Sequence, residues 1–194
     1  RIESLGGTSN ASTGYDDSHY YVLTPSANFK ESLTLLSNLV LNPNLNSNEF
    51  IKEKSVVIEE IMQSYDQPDE RLFGLFLKEV WTDHFYSKPI LGHKEIVKSL
   101  SVDDLREFHA NQYILKNICF AFAGNLPKNS LEIFNDFEIP YKKRRNLVSK
   151  IPTYKSLIKN DKKVIKSKKI EFSRIFTAWQ IPTNKEQKIL LAFE

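Results

Sequence analysis

The sequence predicts an α+β fold, a mainly antiparallel sheet covered by helices on one face, and three observations predict it. Residues 6–24 have the pattern of a β-hairpin, segments of helical periodicity follow, and an apolar run without polar alternation comes after them at residues 117–123. Strands gathered before and after a group of helices give a segregated α+β order rather than repeated βαβ units. At 194 residues, 41% of them hydrophobic, the chain can bury a sizeable core.

Each element has its own local reason. Gly6-Gly7 permits a sharp turn into the hairpin, and Thr8 to Thr13 is small and compatible with a strand. Gly14-Tyr-Asp-Asp17 has turn chemistry, His19-Tyr-Tyr-Val-Leu-Thr24 is aromatic and β-branched, and Pro25 ends it. From Asn28, the residues Phe29, Leu33, Leu36, Leu39 and Val40 recur at helical spacing until Asn42-Pro-Asn stops the helix. A second helix starts near Asn46 or Ser47, with Glu49 placed to complete a capping box with Asn46, and runs to about Ser64. Its apolar arc comprises Phe50, Ile51, Val57, Ile58, Ile61 and Met62.

A third helix follows the Asp66-Gln-Pro-Asp-Glu70 turn and ends near Trp81, and His84 to Gly92 reads as a loop anchored by aromatics and proline. Ser101-Val-Asp-Asp104 caps a helix that runs to about Gln112. The run from Asn117 to Ala123 is expected to be a strand buried on both faces, which makes Cys119 a buried, inert thiol. A short helix is expected around Ser130 to Phe134, a long strand from Ile170 to Ile181, and the start of another helix after Pro182. Phe73, Phe76, Phe120, Phe122, Phe176 and Trp179 are expected to be core.

Charge is uneven along the chain. Residues 141–169 carry 12 Lys/Arg against one acid, Asp161, a balance of +11, leaving 15 basic against 23 acidic residues elsewhere. The run Lys142-Lys-Arg-Arg145 has no interleaved aromatics, so it reads as solvated linker and not as a nucleic-acid contact. No apolar run approaches the roughly 20 residues that cross a bilayer, and Arg1-Ile-Glu-Ser lacks the basic and apolar regions of a signal peptide. Neither nucleic acid nor membrane is expected as a partner.

The chemistry-bearing pair is Glu53 and Glu60, in Glu53-Lys-Ser-Val-Val-Ile-Glu-Glu60. Seven residues is two helical turns less about 20°, so both carboxylates leave one side of one helix. On spacing alone, two solvated surface glutamates are the simpler reading. A carboxylate beside packed valines would instead need a cation or hydrogen-bond donors to offset lost hydration. The chain has no His-x-x-Glu-His, and none of His19, His84, His93 or His109 has a ligand's spacing; His109, beside Phe108, reads as structural.

The ordered set of motifs resembles the pitrilysin/insulinase family of zinc metallopeptidases, which includes the mitochondrial processing peptidases. The matching features, over residues 1–125, are Gly6-Gly-x-x-Asn10-Ala11-x-Thr13, then Tyr20, then Glu53-x-x-x-Val57-x-x-Glu60, then Pro89-x-x-Gly92, Tyr113 and the run ending Ala123-Gly124. The resemblance implies zinc held by two histidines of an inverted His-x-x-Glu-His helix and by a distant glutamate, here Glu60, with Glu53 assisting catalysis without touching the metal. Family spacing places the histidine helix ahead of Arg1. It further implies that Asn10 and Ala11 belong to an edge strand that receives an extended peptide by β-addition; Tyr20, in the paired strand, is a further substrate-binding candidate whose neighbourhood lines the site if the hairpin packs beside the zinc helices.

The implied organisation is most of a first peptidase-like domain in residues 1–125, a basic connection in 126–169, and the opening of a second related domain in 170–194. The implied function is hydrolysis of short or unfolded polypeptides by zinc-activated water, in a cleft completed by a second family domain or subunit. The alternative is a non-catalytic peptide-binding partner subunit of the same family. A histidine motif upstream separates the two, and this chain alone, with a single carboxylate ligand, is expected to be inactive.

Overall fold

Two glycines set the hairpin at the start of the chain. Gly6 has φ +71°, the left-handed region, and closes a short 3₁₀ turn over Glu3–Leu5. A Cβ on Gly7 would lie 2.8 Å from the Leu23 carbonyl oxygen, so no larger residue fits there. The computed structural model describes residues 1–81, 84–139, 163–164 and 172–179. Their elements are strands β1 (Thr8–Thr13) and β2 (Ser18–Leu23) and helices α1 (Phe29–Leu41), α2 (Ser47–Asp66), α3 (Pro68–Val80), α4 (Lys94–Ser99), α5 (Val102–Gln112) and α6 (Ser130–Asn135). The class is α+β, as expected. β1 and β2 pair antiparallel with Ala11 opposite Tyr20 and Thr8 opposite Leu23.

The chain divides into two units, residues 1–55 with 98–150 and residues 56–97 with 151–194, so that the boundary falls inside α2. In the first unit α1 packs against β2. Leu33, Ser37 and Leu41, spaced by four, are buried along α1, and Ile114 is buried beyond α5. Leu39, expected on the same face, is 60% exposed: at two residues from Ser37 and Leu41 it points to the far side of the helix. On β2 the alternation holds, with Tyr20 and Val22 half-buried between exposed neighbours.

Two cations brace the beginning of α2. Lys54 Nζ donates to the carbonyls of Lys98 and Leu100, each at 3.1 Å, and Arg106 donates to the Leu45 carbonyl at 2.8 Å while also pairing with Asp103. The capping box expected from Asn46 and Glu49 does not form. The Asn46 N–H is taken by the Asn44 carbonyl, the Asn46 side chain accepts from Asn48 N–H, and Glu49 pairs with Lys52. The box expected at α5 is complete: Ser101 Oγ accepts from Asp104 N–H, and the Asp104 carboxylate accepts from Ser101 N–H and Oγ–H.

Those hydrogen bonds, the Ser101 hydroxyl first and its N–H second, hold the Asp104 carboxyl below its ordinary range. A carboxyl whose folded pKa is depressed stabilises the fold above its unfolded pKa and loses that contribution as pH falls through the folded value. Ser101→Ala is therefore expected to speed amide exchange in the first turn of α5 at neutral pH and to blunt the acid dependence of that turn, both read by exchange-resolved NMR.

In the second unit, Pro68 opens α3 at a position where no N–H is needed, with Asp69 and Glu70 in the first turn and Lys78 in the last. Trp81, His84, Phe85 and Tyr86 form an aromatic knot after α3, its ring centroids 4.2–5.3 Å apart. Phe176 lies against Phe73 and Phe76, Arg174 pairs with Asp69 at 2.9 Å, and Lys163 pairs with Glu79. Ile61 is 1% exposed and is the buried residue of α2. Its expected partners in the apolar arc are more open, Ile51 at 59% and Met62 at 44% exposure.

Other expectations change. Residues 118–123 join no ladder among the described residues. Phe120 and Phe122 pack on Phe134 of α6, and Phe122 on Phe29 of α1, so ring contacts stand where strand pairing was expected. Cys119 is accordingly exposed, because a run with no sheet on either side has no face to bury it. Residues 172–179 carry no strand either, and the remainder of the expected strand and the helix after it lie outside the described residues. Of the aromatics expected as core, Phe73, Phe122, Phe176 and Trp179 are exposed, Trp179 at 77%. Helix α4 was missed: at six residues it is too short to show a periodic pattern.

Candidate functional site

Glu53 and Glu60 both lie on α2, two turns and about 10 Å of rise apart. Both are exposed, and no described residue pairs with either carboxylate. The valines beside them do not desolvate them, since Val56 is 47% exposed and Val57 half-buried. Two accessible carboxylates on one side of a helix can accept a cation or donors from a neighbouring element at no desolvation cost to the isolated helix.

A zinc ion takes three protein donors and one open position, or four donors. Among the described residues no three His, Cys, Asp or Glu side chains gather in a way that could hold a metal. The described residues therefore do not fit zinc by themselves. Glu60 can offer one ligand and no more.

The hairpin, within the first unit, is a separate candidate surface. Gly14 N–H donates to Asp17 O at 2.8 Å, which marks that pair as hydrogen-bonded. Pairs alternate along an antiparallel ladder, so three residues further Ala11 and Tyr20 form a non-hydrogen-bonded pair. The N–H and C=O of Ala11 consequently point away from β2, toward the edge of β1, whose six residues are all exposed. Asn10 pairs with Tyr21 on the opposite face, and its side-chain oxygen accepts from Ala11 N–H at 2.8 Å.

Tyr20 is tied down from below. Its hydroxyl lies 2.6 Å from the Tyr113 hydroxyl, and the Tyr113 ring stacks on His109 with centroids 4.5 Å apart. His109 is 8% exposed, and its Nε2–H donates to the Val40 carbonyl at 2.7 Å. β2, the end of α5 and α1 are thereby linked through three side chains. Burial first, and then the hydrogen bond with Tyr20, hold the Tyr113 phenol above its ordinary range, so it stays protonated at neutral pH. His109 thus has the structural role its position suggested. His84 accepts from Tyr86 N–H, and His19 sits 3.7 Å from Asp17 at the surface.

The partnership of Tyr20 with Tyr113 was not legible in the sequence, because the two are 93 residues apart and no local period connects them. Removing one hydroxyl leaves the other half-buried and unpaired. Tyr20→Phe and Tyr113→Phe are each expected to cost about 1 kcal/mol or somewhat more, and the double variant less than their sum. Denaturant midpoints of the four proteins measure this; strict additivity would mean that the hydroxyls contribute independently.

The description "Insulinase (Peptidase family M16)" belongs to the family model that matches residues 1–94. Among curated relatives, an uncharacterized zinc protease of Rickettsia bellii is 31% identical over 125 residues, which cover 64% of this chain and 30% of the relative. The zinc protease PqqE of Helicobacter pylori is 30% identical over 154 residues, 78% of this chain and 34% of the relative. The crystal structure of a protease from Helicobacter pylori superposes with a TM-score of 0.64 at 27% identity, covering 81% of this chain and 38% of that one. The chain spans about a third of the length of the curated relatives it matches.

Proposed function

We propose, because this chain belongs to the insulinase family (peptidase family M16) through residues 1–94, that it supplies part of the working surface of a zinc-dependent peptidase. The observation that carries the reading is the pair of accessible carboxylates on one side of α2, unpaired among the described residues, at the positions where the family pattern has Glu53 and Glu60. Glu60 donates one carboxylate ligand, and Glu53 orients the surroundings of the metal without binding it. The remaining donors come from outside the described residues, which contain no set able to hold the ion.

The substrate is an extended polypeptide, short or unfolded. Two features support this: the outward N–H and C=O of Ala11 offer backbone pairing that is indifferent to sequence, and the small side chains of β1 allow a second chain close approach. Tyr20 acts on this edge from beneath, as the cross-strand partner of Ala11 held in place by Tyr113. A second domain or subunit of the same family completes the cleft.

The test is the coding sequence that adjoins Arg1 on its N-terminal side. A His-x-x-Glu-His encoded there on a helix completes the donor set, and the protein so encoded should cleave unfolded peptides in a chelator-sensitive manner. An open frame that continues without the motif overturns the peptidase reading and leaves a peptide-binding subunit without catalysis.

A further inference from the structure

A free strand edge is a hazard as well as an asset, since any extended chain, including a second copy of the same protein, can pair with it. Proteins commonly guard such edges with lysine, proline, a bulge or an inward charge. β1, Thr8-Ser-Asn-Ala-Ser-Thr13, has none of these, and all six of its residues are exposed. It has instead one side chain that hydrogen-bonds its own edge: Asn10 Oδ1 accepts from the Ala11 N–H at 2.8 Å. Because Ala11 lies in a non-hydrogen-bonded pair, that N–H is not part of the β1–β2 ladder and faces the open side.

We propose that Asn10 guards the peptide-receiving edge, its carboxamide oxygen occupying the Ala11 N–H until an added strand displaces it. The proposal rests on the reading of β1 as that edge. Asparagine suits the task because its short carboxamide reaches neighbouring backbone groups without a fold change and rotates away about two side-chain bonds. In the peptide-free protein the guard satisfies the outward donor and withholds it from a second copy. On peptide arrival a carbonyl of the added strand replaces the carboxamide at the same N–H, so hydrogen bonds are exchanged one for one. The guard lowers affinity for every strand equally, so that at a given concentration only chains that bring further contacts stay bound.

The sign of the effect separates this role from a direct substrate contact. In the peptide-free chain, exchange of the Ala11 amide is compared with that of Ser12, whose N–H belongs to the ladder, so that any general loosening of the hairpin cancels. Asn10→Ala is expected to raise the Ala11-to-Ser12 exchange ratio by roughly fivefold, the effect of one modest hydrogen bond, while Asn10→Asp, which keeps the acceptor, leaves it protected. An unchanged ratio in Asn10→Ala overturns the guard. With a fluorescein-labelled unstructured peptide as probe, Asn10→Ala is expected to bind roughly fivefold more tightly than the unaltered chain by fluorescence anisotropy. Weaker binding overturns the proposal and makes Asn10 a direct contact. If neither protein binds the peptide, the edge-receiving reading fails, and the exchange ratio still decides whether Asn10 covers the edge.

Discussion

Glu60→Gln is expected to abolish metal retention and peptide hydrolysis in a protein that carries this chain together with a His-x-x-Glu-His helix. The substitution keeps the side chain's size and removes its charge, and Glu60 is exposed and unpaired among the described residues. Folding stability should therefore change by no more than about 0.5 kcal/mol, the ordinary range for a surface position. The functional loss should exceed the roughly 10- to 100-fold that removal of an outer partner of a metal site costs, because under the proposed function a direct ligand leaves with the charge. Glu53→Gln, removing a group that the proposed function keeps off the metal, should fall within that 10- to 100-fold range. Zinc content after desalting, peptide cleavage rate and thermal midpoint measured on the same preparations separate the alternatives. A Glu60→Gln protein that keeps both metal and rate would leave Glu60 a solvated surface glutamate.

Ile61→Ala should produce the largest loss of stability of any single change in α2. At 1% exposure Ile61 is the most deeply buried side chain of that helix, and removing its outer carbons forfeits transfer free energy and leaves a cavity, about 2–5 kcal/mol together. That is a large share of the roughly 5–15 kcal/mol by which domains are usually stable. Met62→Ala and Ile51→Ala, both at exposed positions, should each cost far less. Ile61 also follows Glu60 directly, so the cavity should loosen the turn from which the carboxylate projects. Urea midpoints rank the three variants; equal midpoints for Ile61→Ala and Met62→Ala would show that α2 is not anchored through this residue.

Where the sequence was readable, the information was local. The Gly6-Gly7 start, the turn at Gly14 to Asp17 and the Ser101/Asp104 box each depend on residues within a few positions of one another, and each formed as expected. The Asn46/Glu49 box had the same spacing and failed, because Asn44 and Lys52 offered competing partners to both of its members. The 118–123 run was misread for a different reason. An apolar run shows that a segment avoids water without showing whether another strand or a set of rings will cover it. Here Phe29 and Phe134 supply rings, and Cys119 is left exposed.

By itself the sequence determined the α+β class, the hairpin, the helices long enough to show their period, and the placement of Glu53 and Glu60 on one side of one helix, since these follow from backbone sterics and from spacings of seven residues or fewer. Tertiary structure alone decided which way the Ala11 N–H faces, that Asn10 covers it, that Tyr20 is held by a hydroxyl 93 residues away, and that Ile61 is buried where Ile51 is not. Register, burial and long-range hydrogen bonds depend on which surfaces meet in space, and residues distant along the chain carry no periodic mark of that meeting.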